Sequence, residues 1–284
     1  MWISSIRVLR RYADERFAWG QFLSMALFLV LASLAAGRKT GVLGLTLEIA
    51  LACSCLFQFR LWDDLADRAI DRLDHPERFL AQARSVRIFE WFTVVLGLLN
   101  FGFIAALRPH PVPLTTWVTL NLGFLGWYAW RPDPAIHRLL NAHVILLKYP
   151  AFVLLLASVA AFDGGAVFAL TLGLVYLSFA VHELLHDPLL QRSPGAGAFL
   201  ILEMLSLVAL SLAPIPLARA DRAATSGWLA GCVALSAALL VVLFSMRARP
   251  AAAWLKRTVF APAVLQLLLI AFRRNHEHLL HSIT

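Results

Sequence analysis

The fold is decided by one stretch that joins an apolar run to an acidic end, residues 41–72, GVLGLTLEIALACSCLFQFRLWDDLADRAIDR. Its apolar part, residues 41–60, is long enough to cross a hydrocarbon core of about 30 Å as a helix. In lipid every backbone polar group must be satisfied within its own element, so a run of this kind is helical. The stretch therefore predicts a transmembrane helix that ends in a cluster of carboxylates.

The rest of the chain repeats the apolar pattern. The 284 residues are 60% hydrophobic and only 15% charged, whereas soluble domains carry about 25% charged residues. Breaks at proline, glycine and charged residues predict nine spans, at residues 17–37, 41–60, 88–107, 112–130, 140–162, 165–185, 196–215, 226–246 and 258–272. The polar stretches between them are short, so we expect a single all-α polytopic membrane domain over residues 1–284.

Positive charges indicate the orientation. Most of the 25 lysines and arginines fall on the N-terminal side of the predicted spans, and positive charge marks the cytoplasmic side. Residues 1–16 are therefore expected to be a cytoplasmic interfacial segment, with the C-terminus outside the inner (cytoplasmic) membrane. Because topology explains the net charge of +8, the charge does not indicate a nucleic-acid partner.

Aspartates recur every four residues where the second span ends. Asp63, Asp67 and Asp71 would share one face of a continuing helix, with Asp64 beside them. Like charges at this spacing repel, so the cluster needs a compensating cation. Mg²⁺ prefers oxygen ligands and usually combines one or two carboxylates with substrate phosphates. The alternative is a solvated, salt-bridged helix end, because three arginines are interleaved with the acids.

This segment, residues 63–72 with 75–80 after it, resembles the first aspartate motif of the UbiA superfamily of intramembrane prenyltransferases. That family writes the motif Asn-Asp-x-x-Asp-x-x-x-Asp and carries a second one, Asp-x-x-x-Asp, at the cytoplasmic end of the sixth of its nine transmembrane helices. Here the sixth span ends in HELLHD, so Glu183 and Asp187 keep the spacing. The chain departs from the pattern at Asp63, where the family has Asn, and at Glu183.

The resemblance implies a fold, an activity and a ligand set. The fold is nine helices around a central cavity open to the cytoplasmic side. The activity is Mg²⁺-dependent transfer of a prenyl group from a polyprenyl diphosphate to an aromatic or other small acceptor, as in 4-hydroxybenzoate polyprenyltransferases. Cyclisation of the prenyl diphosphate without an acceptor is a variant within the superfamily. The implied metal ligands, all but the first also catalytic acids, are Asp63, Asp64, Asp67, Asp71, Glu183 and Asp187.

Four residues are candidates to bind the diphosphate or line its entrance. Lys148 lies inside an apolar span, where a lysine is costly and indicates function, unless its ammonium reaches the interface. Arg68 lies within the acidic segment. Tyr128 and Arg131 end the fourth span, where an interfacial aromatic with a positive-inside arginine is an equally good explanation.

The residues of the second motif also match a zinc-binding motif. His182, Glu183 and His186 form H-E-x-x-H, which on a helix can bind Zn²⁺ with the glutamate as general base. An intramembrane zinc metalloprotease is therefore the alternative from another class, and a non-catalytic isoprenoid-binding protein is a third. Catalytic zinc needs a third protein ligand, for which Glu203 is the downstream candidate. Glu203 and Glu48 both lie inside apolar spans and are expected to face a polar interior.

Overall fold

The computed structural model describes residues 2–37, 41–133, 136–157, 165–213 and 258–281, and these residues form helices and connecting turns without a β-strand. The helices are α1 (Trp2–Arg16), α2 (Trp19–Ala35), α3 (Val42–Ala66), α4 (Arg68–Asp74), α5 (Phe79–Gln82), α6 (Arg87–Leu107), α7 (Pro111–Trp130), α8 (Arg138–Leu146), α9 (Lys148–Leu156), α10 (Gly165–His186), α11 (Pro188–Gln191), α12 (Ala196–Ser211) and α13 (Ala261–His281), with a 3₁₀ turn at Thr258–Phe260.

Among the described residues, four helices are long and apolar enough to cross a membrane: α3, α6, α10 and the joined pair α8–α9 (Arg138–Leu156). Together, α1 and α2 would make a fifth span, bent by 74°. The bounds of the predicted spans 88–107, 112–130 and 165–185 agree with those of α6, α7 and α10 to within one residue at each end, but α7 is not among the helices apolar enough to count as membrane spans. The chain therefore has the helices of a polytopic membrane protein. The predicted span 226–246 lies outside the described residues, as do the ends of 140–162 and 196–215.

The chain packs as two compact units. The first unit comprises Met1–Val30 and Thr40–Leu122, and the second comprises Leu31–Lys39 and Gly123–Thr284. The single domain over residues 1–284 stays a prediction.

In the first unit α3 packs against α6, and a small core closes the end of α3 that carries the acidic residues. Tyr12, Leu61, Leu80 and Phe89 are all buried and cluster together. They come from α1, α3, α5 and α6, so this core fastens the N-terminal helix and the segment after α4 to the long helices. Burying such apolar side chains is what holds these short helices in position.

Polar side chains inside the first unit pair with one another. Glu48 on α3 accepts a 2.6 Å hydrogen bond from Arg108, the residue that follows α6. Gln58 accepts a 2.9 Å bond from the side-chain amide of Asn100 and donates a 3.0 Å bond to Asn121. Groups at membrane depth need such partners, because lipid offers none. The expectation that Glu48 faces a polar environment is met by its arginine.

In the second unit α10 packs against α8, α9 and α12. Gly173 allows a close approach of α12, because a Cβ there would lie 2.7 Å from the Leu210 side chain. The predicted span 140–162 is interrupted at Leu147, between α8 and α9. Pro150 explains the interruption, since it has no N–H to donate to the carbonyl of residue 146 and its ring crowds that carbonyl.

Candidate functional site

The acidic segment continues the helical path beyond the end of α3. The Asp67 N–H donates to the carbonyl of Asp63, and the Asp71 N–H donates to that of Asp67, both at 2.8 Å. These bonds keep the three aspartates one turn apart on one side, as the four-residue spacing suggests. Asp63 and Asp71 are buried, and Asp67, which joins α3 to α4, is half-buried.

Asp64 is neutralised by residues of α1 and of its own helix. Arg16 binds both carboxylate oxygens, Nη2 to Oδ1 at 2.7 Å and Nε to Oδ2 at 2.8 Å. The Tyr12 hydroxyl donates to Oδ2 at 2.8 Å, and the Arg60 guanidinium lies 3.4 Å from Oδ1. A two-pronged arginine contact is among the strongest and most specific that a carboxylate makes. Through these contacts, Asp64 holds α1 against the end of α3.

The remaining arginine contacts of this segment also hold the chain together. Arg78 forms an ion pair with the buried Asp71. Arg68 donates from Nε to the carbonyl of Leu80 at 3.0 Å and from Nη2 to the carbonyl of Ala83. Two of the three guanidinium nitrogens of Arg68 thus bind backbone, and its role toward a diphosphate stays a prediction.

The second acidic motif lies where α10 ends. Asp187 caps α11, because its Oδ1 accepts a 2.8 Å bond from the N–H of Leu189. Glu183 is half-buried on the last turn of α10. The rings of His182 and His186 lie nearly parallel with centroids 5.4 Å apart, so the H-E-x-x-H histidines do share one helix face.

The two predicted basic groups of the second unit each lie against an aromatic ring. Lys148, at the first position of α9, is only 5% exposed, and its Nζ lies 5.6 Å from the centroid of Tyr149. The Tyr149 ring stacks in turn on Phe179 at 3.5 Å. Arg131 lies over the Tyr128 ring at 5.5 Å. The burial of Lys148 does not fit a lysine that extends into water.

A third polar group lies within the second unit. Of its residues only Glu203 was singled out from the sequence, as a zinc ligand or as a residue that faces a polar interior. His143 of α8 lies between α10 and α12, with Nδ1 2.9 Å from the Tyr176 hydroxyl and 3.4 Å from Oε1 of Glu203. His143 Nε2 and Glu203 Oε2 are buried and have no hydrogen-bond partner among the described residues. The sequence signal was a titratable side chain, His143, Tyr176 or Glu203, within each of three successive apolar runs, and such residues mark function in a membrane.

The described side chains do not form a preorganised metal-binding site. In the ranges that the structure describes, no three His, Cys, Asp or Glu side chains come together to hold a metal ion. Asp64 and Asp71 are paired with arginines and Asp187 caps a helix. The donor set fits Mg²⁺ only in its common form, shared between one or two carboxylates and a substrate diphosphate.

The lack of a three-ligand group among the described residues also argues against a catalytic zinc site. Glu203, the third ligand suggested for the H-E-x-x-H histidines, contacts His143 instead. Within the described residues the two histidines therefore lack the third protein ligand that catalytic zinc needs.

Comparison with known proteins yields no relative: no family model, no curated protein and no solved structure matches the chain.

Proposed function

We propose that the chain is an intramembrane prenyltransferase of the UbiA type, which transfers a prenyl group from a polyprenyl diphosphate to an aromatic or other small acceptor. The observation that carries the proposal is the acidic end of α3 and α4, where Asp63, Asp67 and Asp71 follow one another at successive helical turns. A diphosphate with its cation fits such a segment, because Mg²⁺ usually combines one or two carboxylates with substrate phosphates.

The described contacts suggest different roles for the aspartates. Asp64 and Asp71, paired with arginines, hold the segment in shape. Asp67, half-buried at the junction of α3 and α4, together with Asp63, would carry the cation jointly with the substrate. When bound, Mg²⁺ would neutralise the negative charge of the leaving diphosphate. Glu183 and Asp187 are proposed to contribute from the second motif, and Arg68 from the first.

Lys148 is the proposed cation for the diphosphate in the second unit. Lys148, at the first position of α9, is only 5% exposed, and an ionisable side chain within a predicted membrane span indicates function. Its ammonium, lying against Tyr149, would bind phosphate oxygens as they gain charge. Tyr128 and Arg131, in contact with each other, are proposed for the entrance of the site.

The proposal also covers the number of helices, the cavity and the orientation in the membrane. Nine transmembrane helices are proposed to surround a central cavity open to the cytoplasm, in the inner membrane, with a cytoplasmic N-terminus and an external C-terminus. The apolar surroundings would keep water from the allylic cation until an acceptor reaches it. Cyclisation without an acceptor uses the same first step and is the close variant.

The test is diphosphate release from the purified protein in detergent, with geranyl, farnesyl and geranylgeranyl diphosphates. Each substrate is given Mg²⁺, Zn²⁺ or EDTA, with and without a pool of aromatic acceptors. Asp67→Ala should abolish Mg²⁺-dependent release. Asp74→Ala is the matched control, since Asp74 is an exposed aspartate at the end of α4, seven residues from Asp67 and outside the motif. Lys148→Met should raise KM at least tenfold.

The outcomes separate the alternatives. Release that needs Mg²⁺ and Asp67 supports the proposal, and product analysis then distinguishes transfer from cyclisation. No release with any metal or acceptor contradicts it. Zn²⁺-dependent cleavage of a membrane peptide, lost in His182→Ala, would instead favour the metalloprotease.

A further inference from the structure

We propose that His143, Tyr176 and Glu203 form a binding site, within the second unit, for the hydroxyl group of a small aromatic ligand. The cluster contains no residue of either acidic motif, and it does not include Lys148. Its members come from α8, α10 and α12, which pack together.

The first argument is the state of the Glu203 carboxylate. The residue is 6% exposed, its Oε1 lies 3.4 Å from His143, and its Oε2 has no hydrogen-bond partner among the described residues. Buried polar atoms are nearly always hydrogen-bonded, and an unpaired one is costly. Retaining a carboxylate in this condition inside an apolar helix is typical of a residue that binds something.

The second argument is the chemistry of the two unpartnered atoms. Glu203 Oε2 accepts a hydrogen bond when the carboxylate is ionised. His143 Nε2 donates or accepts according to which ring nitrogen carries the proton, and Nδ1 is already committed to the Tyr176 hydroxyl and Glu203. A hydroxyl group both donates and accepts, so it satisfies either tautomer. An anion would be repelled by the carboxylate, and the described residues offer no third metal ligand.

The third argument concerns the shape of the ligand. The Phe199 ring lies 5.5 Å from the His143 ring on one side, and the Tyr176 ring lies 6.3 Å from it on another. Flat rings at these distances offer edges and faces to a further ring. Phe199 is 44% exposed, and the His143 side chain is 19% exposed, so the cluster borders the surface of the packed helices. The two unpartnered atoms are themselves buried, so a ligand reaches them only where the side chains that cover them move aside.

A buried water molecule is the competing occupant. Such waters commonly complete the hydrogen bonding of buried polar groups. Water would satisfy the same atoms but would confer no preference for one ligand over another, and this difference decides the experiment.

Identifying the ligand with the acceptor of prenyl transfer rests on the proposed function, whereas the binding itself does not. Binding is therefore measured without any prenyl diphosphate. If no diphosphate is released but binding depends on the hydroxyl group, the proposed function is contradicted and the binding site is supported. If diphosphate is released but binding does not depend on the hydroxyl group, only the binding site is contradicted.

The experiment compares 1-naphthol with naphthalene, which lacks the hydroxyl, as ligands of the full-length protein in detergent, by equilibrium dialysis corrected for partition into empty micelles. We expect naphthol to bind at least tenfold more tightly, since a hydrogen bond to a charged buried group commonly contributes that factor. Glu203→Leu should remove the preference, and Tyr176→Phe, which deletes only a hydroxyl, should reduce it severalfold. Ser178→Ala is the matched control, because the Ser178 hydroxyl on α10 donates only to its own helix, to the carbonyl of Leu174 at 2.7 Å.

A preference for naphthol that survives both Glu203→Leu and Tyr176→Phe would overturn the proposal, as would equal binding of the two probes to the unmodified protein. Glu203→Gln and Tyr176→Phe keep the side-chain size, so they decide the matter if Glu203→Leu does not fold. Folding of every variant is checked by its melting temperature in the same detergent.

Discussion

The two buried carboxylates inside apolar helices, Glu48 and Glu203, have opposite surroundings. Glu48 is bound at 2.6 Å by the Arg108 guanidinium. Glu203 faces the imidazole of His143 at 3.4 Å, and no lysine or arginine of the described residues pairs with it. The first carboxylate is matched by a fixed positive charge, and the second is not. Charge compensation is typical of a structural ion pair, whereas its absence is typical of a site that binds something.

The same contrast extends along the first unit. Asp64 is compensated by Arg16 and Tyr12 from another helix, and Asp71 by Arg78. The acidic segment that suggested a metal site from its spacing is therefore partly an ion-pair network that shapes the end of α3. The predictions below test which carboxylates hold the protein together and which do not, from the largest expected effect to the smallest.

Arg16→Ala should have the largest effect. It leaves Asp64, which is 5% exposed, with only Tyr12 and the more distant Arg60. Removing one partner of a buried pair costs about 3–5 kcal/mol of unfolding free energy. The loss is measured by thermal or denaturant unfolding in detergent.

The matched control is Arg10→Ala on the same helix. Arg10 and Asp14 form an exposed ion pair at 3.7 Å, and exposed pairs contribute little to stability. Equal losses for Arg16→Ala and Arg10→Ala would show that the Asp64 contacts do not fasten α1.

Glu48→Gln should come next, at about 2–3 kcal/mol, because it leaves the guanidinium of Arg108 without its counter-charge in the first unit. The double variant Glu48→Gln with Arg108→Gln should recover part of the loss, since neither side chain is then a buried unpaired charge. A double variant less stable than both single ones would contradict the ion-pair explanation.

Gln58→Leu should cost less, about 0.5–1.7 kcal/mol, the range measured for hydrogen bonds between membrane helices. It removes the acceptor of Asn100 and the donor to Asn121 in one step. Thr115→Val at the exposed start of α7, whose hydroxyl bonds within its own helix, is the control and should change stability little. A cost equal to that of Glu48→Gln would show that neutral and charged pairs contribute alike here.

How much of this could be predicted from the sequence depends on the range of the interactions. The limits of α6, α7 and α10 follow from apolar runs that end at proline, glycine or charge, and such signals are local. Helix α3 runs past residue 60, where the predicted span ends, to Ala66, as the four-residue spacing of the aspartates indicated. The break at Leu147 was missed, although Pro150 in the sequence indicates one.

In the candidate site too, the local features could be predicted from the sequence and the long-range contacts could not. The spacing of Asp63, Asp67 and Asp71 is local and was visible. The pairing of Asp64 with Arg16 joins residues 48 positions apart, and the His143–Glu203 contact joins α8 to α12. Such contacts depend on how helices pack, which periodicity and composition do not determine.

Glu203→Gln should have the smallest effect on stability and completes the comparison with Glu48→Gln. An uncharged amide is cheaper to bury than a carboxylate with an unpartnered oxygen, and no arginine of the described residues loses its counter-charge. We therefore expect the unfolding free energy to stay within about 0.5 kcal/mol of the unmodified protein, or to rise, as for substitutions away from stabilising contacts. Unfolding of the two variants is measured side by side. A loss as large as that of Glu48→Gln would mean that Glu203 is a structural ion pair of His143, and the two carboxylates would then be alike.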